Sequence, residues 1–115
     1  MQTLPTITDD QMRAMMPSAR AYSLVILKAG PKFHDPGVEK IIWEHGRRNF
    51  AMREAGLLSI VCPVRDGSDV RGVGIFNASL EETKALMDDD PGVLAGVFVY
   101  EIHPTRGFPG DSLPA

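Results

Sequence analysis

The three histidines, His34, His45 and His103, are the side chains here whose ordinary titration lies nearest neutrality. Only His45 falls inside a long helix-like stretch, between the Asp35-Pro36 and Gly56 punctuation marks. At 100° per residue with Val38 at zero, Ile42, Asn49, Met52 and Gly56 lie within about 40° of it, and His45 about 20° from the centre of that stripe. Arg47 and Glu54 point the other way. His45 therefore belongs to the apolar side, either as a hydrogen-bonded core residue or as a general acid–base in a pocket. Base chemistry needs a partner that fixes the tautomer, and the run Asp88-Asp89-Asp90 supplies three carboxylates. Asp90 differs from its neighbours because Pro91 follows and biases its backbone away from helix. It either caps the turn from Gly92 to Gly96 or aims inward. Arg71, Tyr100 and Arg106 are available anion contacts, with nothing in their spacing to single one out.

Other chemistries find little support. His34, His45 and His103 include no i, i+3 or i, i+4 pair, so a helix-borne metal site is not expected. Gly72-x-Gly74 lies inside a strand pattern and not ahead of a helix, which excludes a phosphate loop. Cys62 is the one cysteine; it reads as a small buried strand residue and precludes an intramolecular disulfide. No cofactor is expected.

These residues must be held by alternating elements. Thr8-Asp9-Asp10-Gln11 forms a capping box that opens a short helix to about Met16, with Met12, Met15 and Met16 on a face expected to pack on the body. Tyr22–Lys28 reads as a strand. Asp35 is expected to cap, and Pro36 to begin, a helix reaching Ala55. Leu57–Cys62 and Val70–Asn77 read as strands around an Arg65-Asp66-Gly67-Ser68 turn. Ser79-Leu80-Glu81-Glu82 is a second capping box, opening a helix to Asp88 or Asp89. Val97–His103 is a fourth strand, and from Pro104 the chain is expected to be an irregular tail. The organisation is thus a leader over 1–20, a domain over 21–104 and a Pro/Gly-rich tail over 105–115. The order βαββαβ predicts an α+β ferredoxin-like plait, an antiparallel sheet with both helices on one face.

The strand patterns carry a second expectation. Leu24, Val25, Ile26 and Leu27 run without a polar break, and Val97, Phe98 and Val99 repeat the pattern. Successive strand residues face opposite sides, so both faces of the sheet call for cover. Two helices cover one; a homodimer meeting through sheet faces covers the other, unless the leader or tail lies there. Trp43 and Phe50 form a further aromatic edge that suits the leader or a partner. With 12 Lys+Arg against 15 Asp+Glu and a net charge of −3, no nucleic-acid partner is expected. No apolar run approaches the roughly 18 residues of a membrane span, and the N-terminus lacks signal-peptide order, so a cytoplasmic setting is the expectation.

The run Asp89-Asp90-Pro91-Gly92-Val93-Leu94-Ala95-Gly96-Val97 resembles the D-P-(Y/F/G)-x-x-A-G-(V/L) segment of the YciI-like, or YCII-related, proteins. His45 in Trp43-Glu44-His45 matches that family's histidine midway along the first helix. Glu54-Ala55-Gly56-Leu57-Leu58 resembles its E-x-G-x-L step, and Glu81-Glu82 the start of its second helix. The likeness covers residues 21–108. It implies a ferredoxin-like dimeric α+β barrel and a His–Asp site, carried here by His45 and Asp90. One branch of the family is a dehydrochlorinase of chlorinated hydroxyquinols, a lyase chemistry needing no metal. Two departures stand out: Gly92 replaces a frequent aromatic, which alters the width or wetness of the pocket, and the segment 63–72 is short. The expected function is a cofactor-free lyase or isomerase acting on a small molecule through His45 and Asp90. The alternative is a noncatalytic small-ligand-binding or accessory dimer.

Overall fold

The computed structural model describes residues 3–115. Its elements run α1 (Asp9–Met15), a 3₁₀ turn (Met16–Ser18), β1 (Arg20–Ala29), α2 (Val38–Glu54), β2 (Leu58–Pro63), β3 (Val70–Phe76), α3 (Leu80–Asp88), α4 (Pro91–Leu94) and β4 (Phe98–Gly107). The strands form one open sheet in the order β2-β3-β1-β4, and every neighbouring pair is antiparallel. This α+β arrangement is compatible with the ferredoxin-like plait.

Both capping boxes form. Thr8 accepts from the Gln11 amide while the Gln11 side chain accepts from Thr8 N–H, and Ser79 and Glu82 repeat the exchange. Each satisfies two donors that a helix start leaves free. The start of α2 departs from expectation. Asp35 does not cap it and Pro36 lies outside it; the N-cap is Gly37, with φ 83° and no side-chain cap. Asp35 N–H closes a turn onto Lys32 O at 3.1 Å, and the left-handed Gly37 swings the chain into the helix. At the far end, Gly56 (φ 77°) follows the Ala55 C-cap, as the sequence suggests.

Two further expectations are corrected. β4 does not end at His103: it continues to Gly107, pairing Pro104 with Ser23 and Arg106 with Ala21. Proline is admissible because β4 is an edge strand, so one missing N–H need not break the ladder. The leader helix buries none of its residues, and Met12, Met15 and Met16 stay half-exposed or more. An amphipathic face alone thus does not dock this helix onto its own body. The chain's radius of gyration is 16.8 Å, against about 13 Å for a compact chain of this length.

The core lies between the sheet and α2, α3 and α4: Val25, Leu27, Met52, Leu58, Phe76, Met87, Val97 and Phe98. Burying each such side chain contributes about 1.5–3 kcal/mol. β1 alternates as a strand should: Ser23, Val25 and Leu27 are buried, while Leu24 and Ile26 are half-buried on the other face. Register places Val73 and Ile75 of β3 beside them, with Ile60 and Cys62 of β2 beyond. Cys62 is therefore half-buried, not enclosed. A Lys28–Glu101 ion pair at 3.3 Å and His103, 3.8 Å from Glu101, occupy the β4 side of this face.

Candidate active site

α2 carries His45 on its inner face, buried beside Met52, as the helical stripe requires. Asp90 reaches it from the other side of the helical layer. Its backbone is extended (φ −70°, ψ 133°), the conformation a residue before proline favours. The two roles left open for Asp90 are both filled. Its carboxylate caps α4, accepting from Gly92 N–H at 2.9 Å and Val93 N–H at 3.2 Å. It also accepts from His45 Nδ1, which lies 2.9 Å from Oδ1 and 3.0 Å from Oδ2. Asp90 is 1% exposed. Burial pushes its carboxyl up. The His45 hydrogen bond, the charge of the ring and the Val93 and Gly92 amides outweigh that and hold it below the ordinary carboxylate range. Arg48 adds a guanidinium 3.9 Å from Oδ1.

An ionised Asp90 only accepts, so Nδ1 carries a proton, and in the neutral imidazole Nε2 is then the basic nitrogen. Asn49, one turn further along α2, places Nδ2 3.3 Å from Nε2. Its amide donates to a neutral Nε2 and, turned over, accepts from a protonated one. Asn49 was in the sequence stripe but had no assigned role; its i, i+4 spacing from His45 is the signal that marks it. The Phe98 ring lies against the imidazole with centroids 4.7 Å apart. Gly92 permits this approach, since a Cβ there would come 2.4 Å from Phe98 Cδ2. Phe98, a ring from β4, thus occupies the space against Gly92.

A cavity of about 420 Å³ separates α2 from the sheet. His45 and Asn49 line it, with apolar walls that include Val25, Leu27, Ile42 and Val61. Gly72 and Gly74, at helix-facing positions of β3 opposite Leu27 and Val25, line its floor, and a Cβ at Gly74 would come 3.1 Å from Leu58 Cδ1. The paired glycines of the sequence therefore make room over a sheet. Arg65 and Arg71 also border this space.

The remaining candidates lie elsewhere. Asp88 is exposed and holds Lys84 at 2.6 Å and the Tyr100 hydroxyl. Tyr100 is thereby committed, and Arg106 donates to Ala19 O at 3.1 Å. Asp89 is exposed. His34 packs edge-on against Phe33 and His103 lies on the sheet face away from His45. Among the described residues no three His, Cys, Asp or Glu side chains form a metal-binding group, and no helix is long and apolar enough to cross a membrane. No protein-family model and no curated protein matches the chain.

Proposed function

We propose that this chain is a cofactor-free lyase or isomerase of a small, largely apolar molecule, with His45 as general base and Asp90 as its orienting carboxylate. The observation that carries the reading is the His45 Nδ1–Asp90 contact at 2.9 Å beside an apolar cavity of about 420 Å³. That volume is within the usual range for small-molecule sites, about 300–1,000 Å³. Nε2 takes a proton from the bound molecule, and a leaving group departs with its bonding pair or the proton returns at another atom. Asp90 stabilises the imidazolium formed, and Asn49 turns to accept its new N–H. The resemblance to the YciI-like family, through His45 and the Asp90-Pro91 segment, supports dehydrochlorinase-like elimination as the first reaction to try. Chloride release from chlorinated hydroxyquinols is the assay. His45→Gln and Asp90→Asn should each keep the fold and lose turnover; turnover equal to the parent's in both variants removes the proposal.

The active unit we propose is a homodimer joined through the sheet faces, in a reducing cytoplasmic setting. Leu24, Ile26, Ile60, Val73 and Ile75 share the face opposite the core and are only half-buried, and apolar patches of this kind are uncommon on monomers. Light scattering should report twice the 12.6 kDa chain mass. A species of single mass at all concentrations overturns the dimer.

A further inference from the structure

The cavity has two ends of different chemistry, and the second involves a strand irregularity. β1 and β3 lose register between Leu27, which faces Gly72, and Lys28, which faces Val70. Arg71 is the extra residue of this β-bulge. Bulges redirect side chains; here Arg71 borders the same cavity as the helix-facing glycines beside it. Its backbone is tied down by Val64 N–H, which donates to Arg71 O at 2.9 Å. Its guanidinium lies 4.4 Å from the centroid of the Phe33 ring. Stacking of this kind fixes the guanidinium plane and leaves its edge donors free.

Those donors lack partners. Arg71 Nε is buried without a hydrogen-bond acceptor, and neither Arg71 nor Arg65 has a carboxylate within ion-pair distance among the described residues. Asp69, the nearest acid in sequence, makes no ion pair with Arg71, and Asp66, whose carboxyl the Arg71 charge helps to lower, turns an oxygen to Ser68 N–H at 2.9 Å. Asp90 is already held by His45, Gly92 and Val93. Burying a guanidinium donor without an acceptor is costly, and a planar oxyanion is the group that its fork matches. From Arg71 a row of rings leads to the base: Phe33 to Phe98 at 6.0 Å, then Phe98 to His45 at 4.7 Å. Arg71 and the imidazole are thus no more than about 15 Å apart.

We infer that Arg71, with Arg65 at the mouth, is a carboxylate-binding subsite, so that the molecule this cavity takes is a compact acid on an apolar, ring-sized body. The inference rests on the cavity being the small-molecule site proposed above and names the class of that molecule. The bulge aims the guanidinium, Phe33 backs it, and the apolar walls hold the body of the acid beside His45.

Titration of the ¹⁵N-labelled chain with benzoate, and separately with the neutral benzyl alcohol, tests it. Benzoate should shift the Gly72, Gly74 and Asn49 amides and bind about tenfold or more tighter than benzyl alcohol, a preference that Arg71→Gln abolishes. Arg71→Lys keeps the charge without the planar fork and should retain part of the preference, which preserves the test if Arg71→Gln fails to fold. Equal binding of the two ligands by the parent, or a preference as large in the folded Arg71 variants as in the parent, overturns the subsite and leaves the His45–Asp90 reading standing. If neither ligand shifts cavity amides at millimolar concentration, the subsite and the small-molecule reading of the cavity both fail.

Discussion

Asp88 and Asp90 stand on either side of the junction between α3 and α4, and the junction gives them opposite surroundings. Asp88 closes α3, where the helix dipole is unfavourable to a carboxylate; it lies in water and is held by Lys84 and the Tyr100 hydroxyl. Asp90 opens α4, where free amides point at it, and it is fully buried against His45. Both carboxyls sit below their ordinary range, for different reasons: side-chain hydrogen bonds from Lys84 and Tyr100 lead for Asp88, whereas Asp90 is lowered in spite of burial. A low-lying carboxyl alone therefore does not mark a site. What sets Asp90 apart is its enclosure against His45, whose other nitrogen faces Asn49.

Exchanging the two aspartates' side chains for amides should separate them first by turnover. Asp90→Asn and His45→Gln should lower the rate by ~10²–10⁴-fold, the usual worth of a general-base step. Asp88→Asn should leave the rate unchanged in the same chloride-release assay. Stability should separate them next. Asp90→Ala strands the His45, Gly92 and Val93 donors in the interior and should cost about 3 kcal/mol in urea denaturation. Asp88→Ala, exposed to water, should hardly move the denaturation midpoint. Gly92→Ala comes third. Its new Cβ meets the Phe98 ring and should cost about 1–3 kcal/mol, with a shifted His45 resonance by NMR.

The smallest effects are in pH. Because the Asp90 carboxyl titrates lower in the folded chain, its stabilisation is complete above the unfolded value of about 3.9 and is lost as pH falls through the folded one. The stability gap between the parent and Asp90→Asn should therefore close on acidification. Tyr100 gives the opposite limb. Burial, then the Asp88 hydrogen bond, push its phenol up to about 12. Its contribution is intact below about 10 and disappears as pH rises through the folded value. Tyr100→Phe should flatten that alkaline limb and, by removing a hydrogen bond to the exposed Asp88, change the acid one less than Asp90→Asn does. An acid limb unchanged by Asp90→Asn would erase the contrast between the two aspartates.

What could be read in the sequence was local. Thr8 with Gln11 and Ser79 with Glu82 fix their helix starts within four residues, and Pro91 announces the extended backbone that turns Asp90 inward. The 100° stripe placed His45 correctly because α2 is long and regular. Asp35 looked like a cap because the left-handed turn at Gly37 has no side-chain signature. The continuation of β4 past Pro104 depends on which strand lies at the edge, a property of the whole sheet. The bulge at Arg71 depends on pairing with Leu27 and Lys28 of β1, more than forty positions away. The leader face resembled any docked amphipathic helix; whether it meets a surface is not a local property.

The two outer strands, β2 and β4, both contain a proline: Pro63 closes β2 and Pro104 interrupts β4. An open sheet invites other chains to add themselves along its rims, and a rim without a full row of donors is a poor template. Lateral growth into longer sheets, the first step toward fibrils, is thereby discouraged on both sides. The face-to-face pairing proposed above is the one these rims leave unhindered.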